Sequence, residues 1–335
     1  MNMKSIFKTQ LVNEPYNDPC VYVQLFGRKE CFLIDLGDIS RLPTKKILRI
    51  SRIFVSHTHM DHFFGFDTVL RLFLGKTEPL HIYGPKNIIK NVKGKLAGYT
   101  WNLIKEYPLN IYVHEVKKNT ITTAIFSASK SLRIEYIGVE EISNNIIYED
   151  DELVVKTLIL NHKVPVLSFL LEEKIRINVR KDVLKQLNLE PGPWLNALKR
   201  GYLTGELPQQ DAVIYSRDNK NSFTYKELLN KLLLIKEGEK ILYITDIKFS
   251  KRDLAKITRF TNEPDILYCE AFFLSDDIDR AKDRYHLTAS QTNTIAKSLN
   301  AKKLVIFHFS PRYKGNFKKI YEEAYAGIEE KTGSA

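Results

Sequence analysis

The segment "FVSHTHMDHFFGFD" (54–67) sets His57, His59, Asp61 and His62 within six positions, directly behind the apolar run "RIFVS". Side chains two apart on an extended segment point the same way, so His57 and His59 can converge on one ion. A helix beginning near Asp61 would turn Asp61 and His62 toward a second ion. Imidazole nitrogen combined with carboxylate oxygen suits zinc or a similar borderline divalent metal. A lone histidine is usually a surface or satisfied core residue. Four potential ligands at this spacing, in a chain with eight histidines, favour a metal site.

Such a site needs further ligands, and three other apolar runs end in a polar residue. His162 closes "VVKTLILN", Asp246 follows "KILYIT" and His308 follows "KKLVIF". Each alone is commonplace at a strand end. Together with "HTHMDH" they make two half-sites: His57, His59 and His162 for one ion, Asp61, His62 and His308 for the other, with Asp246 between them. Two ions about 3.5–4 Å apart can hold a water, lower its pKa and aim it as hydroxide at an electrophile. They also neutralise charge on the oxygens of a phosphorane-like transition state. Asp35 reads as a carboxylate that orients a ligand histidine. His81 and His114 lie in strand-like segments and read as structural.

The elements that must hold these residues alternate between strand and helix. "VYVQLF" and "ECFLIDLG" have strand composition, and "ILRISRIFVS" ends in a strand before the histidine cluster. "FDTVLRLFLGK" has helical spacing. Later, "EKILYITD", "PDILYCEAFF" and "KKLVIFHFS" read as buried strands, separated by the helices "KRDLAKITRFTN" and "TASQTNTIAKSLN", the latter capped by Thr288 or Ser290. This pattern predicts two packed β-sheets with helices outside, in one domain spanning 1–335. The polar stretch at about 200–225 reads as a loop or as part of a protruding arm within 175–225.

Composition narrows the partners. No apolar run approaches the roughly 18 residues of a membrane helix. The first twenty residues lack a secretory pattern. Cys20, Cys31 and Cys269 are scattered, which argues for a reducing compartment and a cytoplasmic location. The formal net charge is +11, concentrated in "PKNIIKNVKGK" (85–95), "EKIRINVRKDVLK" (173–185), "LKRGY" (198–202) and "PRYKGNFKK" (311–319). Clustered cations with aromatics nearby are what a polyanion such as RNA requires, although a solvated basic surface would look the same.

"HTHMDH" matches the HxHxDH motif of metallo-β-lactamase-fold hydrolases. "HKVPVLSFLLEEK" (162–174), "LNLEPGPWLNALKRG" (187–201), "YITD" (243–246), "CEAFF" (269–273), "YHLTA" (285–289) and "IFHFSPRY" (306–313) follow in the order and spacing of the ribonuclease Z family. The chain resembles that family from about residue 20 to 315. The resemblance implies an α/β fold of the four-layer αβ/βα sandwich type, with two Zn2+ ions (Mn2+ or Fe2+ being alternatives). It implies a homodimer and a phosphodiesterase that cuts the 3′ trailer from precursor tRNA. Glu270 and His286 resemble a pair linked to proton transfer, and Asp61 counts with them among the catalytic residues. Ser310, Arg312 and Tyr313 lie on the family's substrate side, where Arg312 could grip phosphate or form a structural salt bridge. "EPGP" with its basic flanks resembles the part linked to tRNA elbow binding, or is a plain turn.

The chain also departs from the family. "DLGDISR" stands for "DCGEGTQ", "HMDH" for "HGDH", and "CEAF" for "HEAT", so Cys269 replaces a histidine. None of these removes a metal ligand. They leave open a metallo-β-lactamase-fold phosphodiesterase acting on a small substrate such as a cyclic nucleotide. A metal-stabilised RNA-binding protein without catalysis would need a missing ligand, and none is missing. A β-lactamase is disfavoured by the basic charge and the additional motifs, and an iron redox site by His59.

Overall fold

The structure is a computed structural model that describes residues 5–207 and 212–328. They fall into two compact units, Met1–Glu172 with Glu239–Ala335, and Glu173–Gly238.

In the first unit, eight strands from Phe7–Leu11 to Ile134–Glu141 form one sheet in chain order. The first strand was not expected from its polar-alternating sequence, "FKTQL". The middle strands Cys31–Ile34, Ile50–Phe54, Leu80–Gly84 and Asn110–Val116 are parallel, and antiparallel strands flank them. The second sheet holds six strands in the order Leu304–Phe307, Ile266–Glu270, Lys240–Ile244, Val164–Glu173, Leu153–His162 and Ile146–Glu149. Its first three are parallel.

Alternation along the strands divides the apolar residues into layers. Ile53, Ile82 and Val113 pack with Phe66, Val69 and Ile88 of helices Phe66–Phe73 and Ile88–Ala97. Phe32, Phe54 and Tyr83 instead face Phe169, Ile241 and Tyr243 of the second sheet. Leu242, Ile244 and Leu267 pack against Ile257 and Ile295 of helices Lys251–Phe260 and Ala289–Ser298. Three apolar cores in this order make the four-layer αβ/βα sandwich. Thr288 caps the last of these helices in a reciprocal capping box with Gln291.

The second unit has a core of its own, including Leu184, Leu198, Leu228 and Leu232. Helix Trp194–Thr204 and the hairpin of Val213–Tyr215 with Ser222–Thr224 occupy much of the stretch read from sequence as loop or arm. Trp194, Leu195, Leu198 and Tyr202 carry the helical period, which Gly201 and the preceding "EPGP" obscured. Tyr225–Leu232 is likewise helical, opened by a Thr224–Glu227 capping box.

Two glycines hold the histidine segment to its sheet. Leu36 N–H donates to His62 O (2.9 Å), and Gly65 N–H donates to Leu36 O (2.9 Å). A Cβ on Gly65 would lie 2.3 Å from Gly37 O, and one on Gly37 would lie 2.6 Å from Asp61 O. Backbone packed this closely has no room for a methyl group. Gly65→Ala should therefore lower unfolding free energy by about 1–3 kcal/mol. Gly75→Ala, where nothing lies within 4 Å, should change it little. Equal denaturant midpoints for the two variants would contradict this account.

Candidate metal centre

The candidate ligands sit where strands stop. His57 and His59 follow the end of Ile50–Phe54, and Asp61 and His62 lie in the short helix Met60–Phe63. His162 ends Leu153–His162, Asp246 lies just past Lys240–Ile244, and His308 follows Leu304–Phe307. Asp35, Asp246 and His308 all adopt positive φ, 58°, 49° and 60°. Non-glycine residues are held in that region only when their surroundings enforce it, and such residues concentrate at functional sites.

The side chains come together in overlapping groups. Ligand atoms of His57, His59 and His162 lie within 4.8 Å of one another, as do those of Asp61, His62 and His308. Asp246 stands between the groups: Oδ2 is 2.7 Å from His62 Nε2 and Oδ1 is 3.7 Å from His162 Nε2. Despite these short approaches, His57 Nε2, His62 Nε2 and His308 Nδ1 are buried without a hydrogen bond. Buried polar atoms normally find partners. Orphaned nitrogens facing carboxylate oxygen fit a cation between them, so this donor set suits divalent metal.

A surrounding layer fixes the rings. Asp35 Oδ2 lies 2.8 Å from His62 Nδ1 and accepts from Tyr243 Oη (2.6 Å) and Ser56 Oγ (2.9 Å), while Asp35 Oδ1 accepts from Ser56 N–H (2.6 Å). His162 Nδ1 lies 2.6 Å from the Tyr285 carbonyl. Thr245 Oγ1 donates to Asp246 Oδ2 at 2.9 Å. Holding one ring nitrogen turns the other toward the centre. Ser56, Tyr243 and the Tyr285 carbonyl escaped the sequence reading, because nothing in their spacing marks them.

Glu270 and His286 join the centre from the side. His286 Nδ1 is 2.8 Å from Glu270 Oε2 and 3.0 Å from Asp246 Oδ1. Phe272 stacks on His286, ring centroids 4.0 Å apart and planes at 12°, and meets His308 edge-on at 5.0 Å. Cys269 is a core residue between sheet and helices, and burial pushes its thiol well up. Arg312 Nη1 pairs with Asp277 Oδ1 at 2.8 Å, and Tyr313 Oη also bonds to Asp277. Ser310 is buried. His81 and His114 lie apart from the ligand groups, their rings stacked and Nδ1 of His81 3.0 Å from Nε2 of His114.

The two groups differ in proton affinity. Burial, then the neighbouring histidines, push His57 down to about 2, and burial lowers His162 despite nearby Asp246. Burial also opposes charge on His308, but Asp246 and Asp61 outweigh it and hold the ring at about 9. His62 is driven well above its usual range, against burial, by Asp246 and Asp35.

Comparisons place this architecture among metallo-β-lactamase-fold proteins. The human short-form tRNase Z covers 90% of each chain at 19% identity with a TM-score of 0.52. The metallo-β-lactamase-fold protein YhfI of Bacillus subtilis covers 95% of this chain and 92% of its own at 13% identity, TM-score 0.54. No protein-family model matches the sequence. Ribonuclease Z of Deinococcus radiodurans is 28% identical over 309 residues, 91% of this chain and 90% of its own. Ribonuclease Z of Bacillus cereus is 30% identical over 307 residues, 89% and 84% of the two chains. The chain belongs to the ribonuclease Z family and is a hydrolytic nuclease. Among the described residues, no helix is long and apolar enough to cross a membrane.

The proton affinities yield a metal-binding prediction. Metal competes with protons held by His62 and His308, whereas His57 and His162 are already neutral. Below the raised pKa values, the Asp61–His62–His308 group should lose affinity by about a hundredfold per pH unit, two protons being displaced. His57 and His162 release no proton on binding, so metal at that group should depend less on pH. Zinc titration followed by calorimetry should find two ions per chain at pH 8 and one at pH 6. Loss of both ions along one pH curve would refute this division.

Proposed function

We propose that the protein is a zinc-dependent endoribonuclease that cuts the 3′ trailer from precursor tRNA. The observation that carries this reading is the Glu270–His286 pair placed against Asp246, beside two convergent ligand groups. The ribonuclease Z relatives support the choice of substrate. His57, His59 and His162 would hold one Zn2+, Asp61, His62 and His308 the other, and Asp246 would bridge them. Mn2+ or Fe2+ are alternatives with the same ligands. Two such ions would activate water and neutralise charge on the phosphoryl oxygens.

The chain's own groups supply the rest. Nδ1 of His286 is committed to Glu270 and Asp246, which leaves Nε2 for the departing 3′-oxygen. Burial opposes protonation, yet the Glu270 charge and the bonds to Asp246 and Glu270 hold His286 at about 10. The Glu270 carboxylate beside the ring favours its protonated form, from which it would donate as the P–O bond breaks. Phe272 fixes the ring plane. Arg312 and Tyr313 would reach a substrate phosphate only by exchanging Asp277 for it, and Ser310 would contribute from the same segment. A homodimer in the cytoplasm belongs to the same reading and is checked by sedimentation.

A second reading is the same chemistry on a small diester such as a cyclic nucleotide. Met60 favours it: it stands where the family has glycine and is 78% exposed beside the ligands. Zinc-loaded protein should cut precursor tRNA once, near the acceptor end, and far faster per mole than it hydrolyses 2′,3′- or 3′,5′-cyclic nucleotides. The reverse preference would select the small-diester reading. His286→Ala should lower turnover about 10²–10⁴-fold with both ions retained. His59→Ala should abolish cleavage with loss of metal. A His286→Ala enzyme of full activity would remove the proton-donor role.

A further inference from the structure

Beside the metal histidines lies a cleft of about 180 Å³ lined by His57, Thr58, His59, Lys86, Lys90 and Asn91 among others. Its position and charge are unexplained by metal binding. Lys86 and Lys90 are exposed and make no ion pair among the described residues, unlike Lys95 further along the same helix, which pairs with Asp67. Helix Ile88–Ala97 begins at this cleft, and the first-turn amides of Ile89 and Lys90 have no backbone acceptor. The nearby carboxylate, Glu115, accepts the Asn87 N–H at 2.9 Å and pairs with Lys117 at 3.3 Å. Asn91 Nδ2 donates to Thr58 Oγ1 at 2.6 Å, which ties the helix to the residue between His57 and His59. His57, 1% exposed and with Nε2 unpartnered, joins the cleft to the metal centre.

We propose that this cleft is a phosphate subsite. It holds the phosphodiester of a nucleotide next to the scissile one, gripped by the Lys86 and Lys90 ammonium groups at the helix start. The inference rests on the nuclease reading and adds what that reading lacks, a place for a second phosphate. Free lysines at a helix N-terminus attract anions, and the cleft is lined on its other side by His57 and His59, which would hold metal. A substrate with one phosphate would leave the cleft empty. A polynucleotide would fill it, so the subsite selects for chain length.

The test is calorimetry on the zinc-loaded protein with two probes, deoxydinucleotides with and without a terminal 5′-phosphate. Wild-type protein should bind the phosphorylated probe about tenfold more tightly, the size expected of two exposed charge-assisted contacts. Raising the salt concentration should erode that preference. In Lys86→Ala/Lys90→Ala the two probes should bind alike, at wild-type zinc content, and Lys86→Arg/Lys90→Arg should restore the preference. An unchanged ratio in the alanine variant, or no preference in the wild type, would overturn the subsite. Failure to cut precursor tRNA, with the probe preference intact, would count against the substrate reading alone.

Discussion

Three carboxylates, Asp35, Asp246 and Glu270, are almost completely withdrawn from solvent at the meeting of the two sheets. Burying an ionised carboxylate is costly unless charge and hydrogen bonds compensate it. In this chain the compensation is imidazole. His62 lies within 2.8 Å of both Asp35 and Asp246, and His286 within 3.0 Å of both Asp246 and Glu270. The polypeptide has thus assembled negative charge that only protons or metal ions can balance. The same carboxylates raise the proton affinity of His62, His286 and His308 against the effect of burial.

That balance explains the form of the backbone. A side chain at the end of a strand can point into the centre only if the chain turns sharply there. Asp35, Asp246 and His308 do so in the left-handed region. The parallel strands of each sheet end side by side, so their terminal residues are neighbours by topology although far apart in sequence. Gly37 and Gly65 let the histidine segment lie against the strand-end loop without intervening side chains. The convergence of the candidate ligands therefore depends on close backbone packing at positions that contribute no functional group.

The residues that could be read in advance were those whose chemistry is carried by spacing or by contrast. "HTHMDH" concentrates ligands within one turn of chain, and His162, Asp246 and His308 interrupt strongly apolar runs. The two-sheet arrangement followed from alternating strand and helix patterns, and family motifs supplied Glu270 and His286. What escaped were residues defined by three-dimensional proximity. Tyr243 is an aromatic in a buried strand until its hydroxyl is seen to bond Asp35. Phe272 resembles any core phenylalanine until it stacks on His286. Helix Trp194–Thr204 was hidden by glycine and proline, whose local preference yielded to packing around Leu198.

The departures from family pattern acquire a physical order in this light. Cys269 faces the third core, so exchanging histidine for cysteine there alters packing rather than ligation. Phe272 lies one layer closer, stacked on His286 and edge-on to His308. Met60 is exposed between His59 and Asp61, at the open rim of the centre. None of the three alters the charge at the centre. Variation is tolerated where it leaves that electrostatic balance intact, and its effect on function should grow as it approaches the open rim. Charge and variation are thereby separated in space: the carboxylates and imidazoles that set the electrostatics are buried, while Met60 varies on the exposed rim around them.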